Sequence, residues 1–142
     1  MVVSKDGFVY VADRANDRVQ AFRKDGTFVK EGFISRRTML AGAASGLALS
    51  ADPQQRFLYV IDGANHRIWI VLRDTIQAVG RFGQQGLSGG AMNVPHALAV
   101  DSSGNVYIGE NFDARRVQRF LYKGMGSPTS AEGVIPPARA VQ

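Results

Sequence analysis

The sequence predicts an all-β chain built from three repeated antiparallel sheets, and three observations lead there. The first is a recurring pattern of apolar strand, acidic loop and arginine. Phe8-Val-Tyr-Val-Ala12 leads into Asp13-Arg-Ala-Asn16-Asp-Arg18-Val-Gln-Ala-Phe22, and Phe57-Leu-Tyr-Val-Ile61 leads into Asp62-Gly-Ala-Asn65-His-Arg67-Ile-Trp-Ile-Val71. In the third copy Asn105-Val-Tyr-Ile-Gly109 leads into Glu110-Asn-Phe-Asp113-Ala-Arg-Arg116-Val-Gln-Arg-Phe120. Tyr10, Tyr59 and Tyr107 lie 49 and 48 residues apart and Arg18, Arg67 and Arg116 lie 49 apart, so the unit is a module the size of a propeller blade. The second observation is the spacing of turn residues, which cut each unit into short strands. The third is that Phe8 to Val11 and Phe57 to Ile61 are apolar without alternation, the mark of strands covered on both faces.

The elements follow in order. The first blade occupies about residues 1–33, with Met1-Val-Val3 as its innermost strand and Thr27 to Lys30 as its outermost, after the turn Lys24-Asp25-Gly26. Blade two occupies about 46–82. Its strands are Gly46 to Leu49, Phe57 to Ile61, Ile68 to Leu72 and Thr75 to Val79, with the first turn at Ser50 to Gln55. Blade three occupies about 97–123: Ala97 to Val100, the turn Asp101-Ser-Ser-Gly104, Asn105 to Ile108, the polar loop Glu110 to Arg115, then Val117 to Leu121. Residues 124–142 have the glycine and proline content of a linker, in which Ser130 to Ile135 is expected as an outer strand of blade three or as a strand exchanged with another chain. The fold class is therefore three four-stranded blades, a half-propeller over residues 1–123.

Composition removes several classes of function. A chain of 142 residues, 45% hydrophobic and 20% charged, is that of a single folded domain. Its net charge of +5 is spread singly rather than in a basic stripe, which argues against nucleic acid as a partner. With no cysteine there are no disulfides and no thiolate metal sites. The N-terminus lacks the basic and apolar regions of a secretory signal and no segment is apolar for long enough to span a bilayer, leaving the cytoplasm as the default expectation and the compartment undetermined. Ser35-Arg36-Arg37-Thr-Met-Leu-Ala has the look of a twin-arginine export signal, but it sits inside the repeat array and reads as an inter-blade loop running into a strand.

The order Gly, apolar-Tyr-apolar, Asp, Asn-x-Arg-Val-Gln-x-Phe resembles the NHL repeat of six-bladed β-propellers, over nearly all of residues 1–122. The glycine-rich linker Gly80 to Gly90, closed by Val94-Pro95-His96, resembles the inter-blade loop of the same family. Three blades do not close a ring, since closed propellers use about four to eight. Two copies associating about a two-fold axis into a six-bladed homodimer is the expectation, with a fragment of a longer propeller as the alternative.

In a propeller the loop before the innermost strand and the loop between the second and third strands share one face. That places Asn16, Arg18, Asp62, Asn65, His66, Arg67, His96, Glu110, Asp113 and Arg116 together as candidate ligand-face residues. Those that recur in each blade also serve as turn devices, since aspartate and asparagine bond nearby amides and arginine braces a neighbouring loop. His66 and His96 do not recur. Asn93-Val-Pro-His96 with the strands after it is similar to the last blade of bacterial relatives of peptidyl-α-hydroxyglycine α-amidating lyase. That resemblance implies zinc at the His96 position, a nearby calcium and a catalytic arginine that Arg67 would supply. Ala97 stands where the calcium-binding acid would be, and Ser45 where a second histidine would be. The Gly-x-Ser-x-Gly string at Gly86-Leu-Ser88-Gly-Gly90 falls in the glycine-rich linker rather than on the strand-to-helix turn of a nucleophile elbow, and no phosphate-cradling loop is present. The function expected is a non-catalytic module whose loop face binds a small molecule or a protein. The alternative is a lyase- or hydrolase-like enzyme with zinc or calcium in the channel, using His96 and Arg67.

Overall fold

The computed structural model describes residues 1–39 and 42–126. Three meandering antiparallel sheets follow one another along the chain. Blade one contains β1 (Val2–Val3), β2 (Val9–Asp13), β3 (Arg18–Phe22) and β4 (Phe28–Phe33), paired in that order. Blade two contains β5 (Ala44–Leu49), β6 (Phe57–Asp62), β7 (Arg67–Leu72) and β8 (Gln77–Phe82), again in order. Blade three contains β9 (Pro95–Val100), β10 (Val106–Glu110) and β11 (Val117–Phe120). Pairing only between sequence neighbours is the construction of a propeller blade. The outer strand expected within 130–135 lies outside the described residues, as does most of the tail.

The outermost strands run further along the chain than turn residues alone predict. Thr27 N–H donates to Asp25 Oδ1 at 2.9 Å, so Thr27 closes the turn and pairing starts at Phe28. In blade two Thr75 and Ile76 belong to the turn, and Ile76 takes a left-handed φ of 51° with its side chain 2% exposed. It is held inward by Gly32 of blade one, where a Cβ would stand 2.3 Å from the Ile76 carbonyl oxygen. Any side chain at position 32 would force the two blades apart.

The two cores lie between sheets. Tyr10, Val19 and Ala21 of blade one meet Leu58, Val60, Trp69 and Val71 of blade two. On the other side of blade two, Ile61 and Ile68 meet Val106 and Ile108 of blade three over Met92, with the Phe82 and Phe120 rings 5.0 Å apart. Each sheet thus has a front, toward the preceding blade, and a back, toward the next. Period-two alternation assigns Leu58, Val60, Trp69 and Val71 to the front of blade two and Ile61 and Ile68 to its back. Apolarity on both faces is the consequence of this double packing.

Candidate functional site

The loop between the second and third strands of each blade is built around an acid, and each acid is consumed locally. Asp13 accepts from Asn16 Nδ2 at 2.9 and 3.0 Å and from Arg18 Nε at 2.7 Å, and those two partners hold its carboxyl below the usual range. Asp62, fully buried, accepts from Asn65 Nδ2 at 2.8 and 3.0 Å and from the Trp69 indole N–H at 2.9 Å. Glu110 accepts from Arg116 Nε at 2.9 Å and Gln118 Nε2 at 2.5 Å on one oxygen, and from the Asn93 N–H at 2.6 Å on the other. Burial pushes the Glu110 carboxyl up, but Arg116, Asn93 and Gln118 together outweigh burial and hold it low. Asp62 and Glu110 accordingly face inward rather than toward a ligand.

Each loop ends on a left-handed residue directly before its arginine: Asp17 at φ 53°, His66 at 56° and Arg115 at 41°. Aspartate and histidine tolerate that conformation better than most side chains. In blades one and two the same residue latches the crossover to the next blade. Asp17 accepts from the Thr38 N–H at 3.1 Å and the Ala43 N–H at 2.7 Å, and His66 Nδ1 accepts from the Val94 N–H at 3.1 Å. His66 falls in the repeat where blade one has Asp17, and the hydrogen bonds show that the two residues do the same work.

The arginines diverge in the same way. Arg18 reaches Glu31 Oε2 at 2.9 Å as well as Asp13. Arg116 donates to the backbone carbonyls of Leu87, Ser88 and Ala91 in the preceding crossover. Arg67, whose acid is taken by Trp69, donates to the Asn65 carbonyl at 2.9 Å, and its guanidinium and that of Arg81 stand 5.9 and 5.4 Å from the Trp69 ring centroid.

His96 is exposed, in a shallow groove of about 360 Å³ with Glu110, Arg115 and Arg116; Arg67 does not line it. Asn16 and Asp113 are also exposed. Zinc needs about three or four converging donors. Among the described residues no three of His, Asp and Glu converge, and both Glu110 oxygens beside His96 are already engaged. The donor set does not fit the zinc or calcium centre that the lyase resemblance implies.

A larger groove of about 650 Å³ opens where loops of all three blades meet. Arg14 comes from the loop of blade one, Arg36, Arg37 and Met39 from the first crossover, Asn65 from blade two and Phe112 from blade three. No acid lines it. Among the described residues Arg14 and Arg37 have no ion-pair partner, and Arg36 lies 3.8 Å from the centroid of the Phe33 ring. Gly42 allows the crossover to pass this close: its φ is 75°, and a Cβ there would stand 1.8 Å from the Arg14 carbonyl oxygen. Of the ten expected ligand-face residues the groove takes in Asn65 alone. Arg14, the Arg36–Arg37 pair and Phe112 are not marked as a site by the sequence, because none recurs and they come from three different loops. The signal available was that all those loops lie at one end of the blades.

No protein-family model matches the chain, so the NHL resemblance rests on its repeated residues alone. Solved structures are similar, among them two lyases. The chain shares the β-propeller fold with them, over three blades. One likeness is to a catalytically inactive histidine-to-alanine variant of virginiamycin B lyase from Staphylococcus aureus with quinupristin, at TM-score 0.58 and 16% identity over 86% of this chain and 40% of that one. The other is to a streptogramin B lyase, at TM-score 0.60 and 11% identity over 87% of this chain and 37% of that one. The chain spans about two fifths of either lyase. At such identities the likeness concerns the fold, and propellers carry many chemistries on one frame.

Proposed function

We propose that the chain is a non-catalytic propeller module of NHL type whose loop face binds an anionic ligand bearing an apolar group. The observation that carries this reading is the arginine groove, in which Arg14, Arg36 and Arg37 stand without an acid beside exposed Phe112 and Met39. Guanidinium groups suit carboxylate and phosphate because their N–H donors match two oxygens at once. The aromatic and thioether side chains supply the apolar wall that such a pocket uses to hold the remainder of a small molecule. Loops from three blades contribute, so a bound ligand would also tie the blades together and raise the unfolding temperature.

Phenyl phosphate is a suitable probe, having one anionic and one aromatic end. Calorimetric titration is expected to give saturable one-to-one binding with a Kd of about 0.1–1 mM. Arg36→Ala and Arg37→Ala are each expected to weaken it about tenfold, a loss of one charge-assisted contact. Absence of saturation, or affinity unchanged in both variants, overturns the site. Conversion of the probe to phenol and phosphate overturns the non-catalytic assignment.

A further inference from the structure

We propose that the front of blade one is a preformed docking face for the back of blade three of a second copy of this chain. The joint it would make is already made twice within the chain. At the second of those joints, the front of blade three receives the glycine-rich crossover that leaves blade two. Arg116 donates to the Leu87, Ser88 and Ala91 carbonyls, Gln118 Nε2 donates to the Ala91 carbonyl at 2.7 Å, and the Gly90 N–H donates back to Gln118 Oε1 at 2.9 Å. Behind this polar clasp lie Val106 and Ile108, 5% and 0% exposed.

Blade one carries the same clasp, and among the described residues no crossover lies on it. Asp13, Arg18 and Gln20 occupy the places of Glu110, Arg116 and Gln118, and Arg18 and Gln20 turn instead to Glu31 at 2.9 and 3.4 Å. The apolar part of this front is uncovered as well: Val3 is 54% exposed and Phe28 is 52% exposed. Their sheet neighbours Val9, Val11 and Phe22 are part-exposed, although the equivalent Leu58, Val60 and Val71 in blade two have no exposed surface.

The complementary surface is at the other end of the same chain. Val117 on the back of blade three is 71% exposed, whereas its counterparts Val19 and Ile68 are wholly buried by the next blade. Leu121 on that side is 51% exposed. A donor-bearing apolar front and a bare apolar back, each the unused half of a joint this chain makes twice, identify a second copy as the occupant. Patches of this kind seldom face water in an isolated globule. In a two-fold pair each copy would supply one front and one back, giving a closed arrangement with two identical joints.

Sedimentation equilibrium of the full chain tests the proposal, with Val3→Asp on the front and Val117→Asp on the back. Both side chains are exposed in the single chain, and circular dichroism checks that each variant stays folded. The wild type is expected to be a dimer at about 10 µM, and each variant a monomer or at least tenfold weaker in association. Mixing the two variants is expected to restore a dimer, since the mixed pair retains one joint in which both surfaces are wild type. Arg18→Ala is expected to weaken association about tenfold while leaving phenyl phosphate binding unchanged, which separates this joint from the ligand groove. A wild type that stays monomeric at about 100 µM overturns the second-copy occupant. A dimer that persists in both variants, or variants that fail to recover on mixing, overturns the front-to-back joint.

Discussion

Asp13 and Glu110 close the second strand of their blades and pair with the arginine at or just before the start of the third, yet their surroundings differ. The Glu110 side chain has no exposed surface and Asp13 keeps 23% of its own, while Arg116 and Arg18 are equally accessible at 28%. The difference comes from outside the blade: the crossover carrying Leu87 to Asn93 lies over Glu110, and among the described residues no segment lies over Asp13. Blade two shows a third outcome, in which Trp69 donates to the acid and Arg67 is turned to a backbone carbonyl. A repeated acid–arginine pair is thus a socket whose energetic weight depends on what covers it. Exposed ion pairs contribute little, whereas removing one member of a buried, hydrogen-bonded pair leaves its partners unsatisfied.

The sharpest way to break the comparison is Glu110→Ala. It strands the Arg116 guanidinium, the Gln118 amide and the Asn93 N–H, and is expected to lower unfolding stability in urea by about 3 kcal/mol. A loss below about 1 kcal/mol would show that the crossover's cover adds nothing.

Next in size is Asp17→Ala, which removes the acceptor for the Thr38 and Ala43 N–H groups and is expected to cost about 1–2 kcal/mol. Arg115→Ala, at the matching place in blade three, should change stability by less than about 0.5 kcal/mol because its side chain bonds only its own loop. Equal effects at the two positions would rule out the latch as the reason Asp17 is buried.

A smaller effect is expected at the opposite end of the blades. Arg73 and Ser4 hold the Asp6 carboxyl low, at about 2, and Arg73 thereby ties blade two to blade one at 2.7 Å. A carboxyl that is depressed in the folded state stabilises above its unfolded pKa, about 4, and loses that contribution as pH falls toward 2. Asp6→Asn should therefore lower stability modestly above about pH 4, leave it nearly unchanged near pH 2, and so flatten the acid limb between those values. An acid limb identical to that of the wild type would remove Asp6 as a contributor.

A small change, within about 1 kcal/mol, is also expected for Asp13→Ala in the single chain, because the pair it breaks is open to water. Repeating it under conditions where two copies associate would sharpen the comparison, since a covered Asp13 should then behave more like Glu110.

The repeat made the blades legible from the sequence because β-sheet burial is a local code: residues two apart share a face, and turns require particular residues. The spacing of Tyr10, Tyr59 and Tyr107 located the second strands, and the recurring arginines located the third. The outermost strands lie a few residues further along than the turn residues indicate, in blade one because Thr27 closes the Asp25 turn and in blade two because Ile76 is held by Gly32 of another blade, a constraint absent from its own neighbourhood. The candidate site was less legible. Asn65 was named, but the arginines that make the groove lie at positions 14, 36 and 37 and meet Phe112 only after three blades have stacked.

By itself, then, the sequence determined an all-β chain of propeller blades and the sockets each blade carries, since these depend on neighbours along a strand or across one turn. The stacking of blades decided which sockets are filled, which valines are buried and which arginines share a groove. Those outcomes depend on segments about fifty or more residues apart arriving at the same place, and no local pattern encodes that meeting.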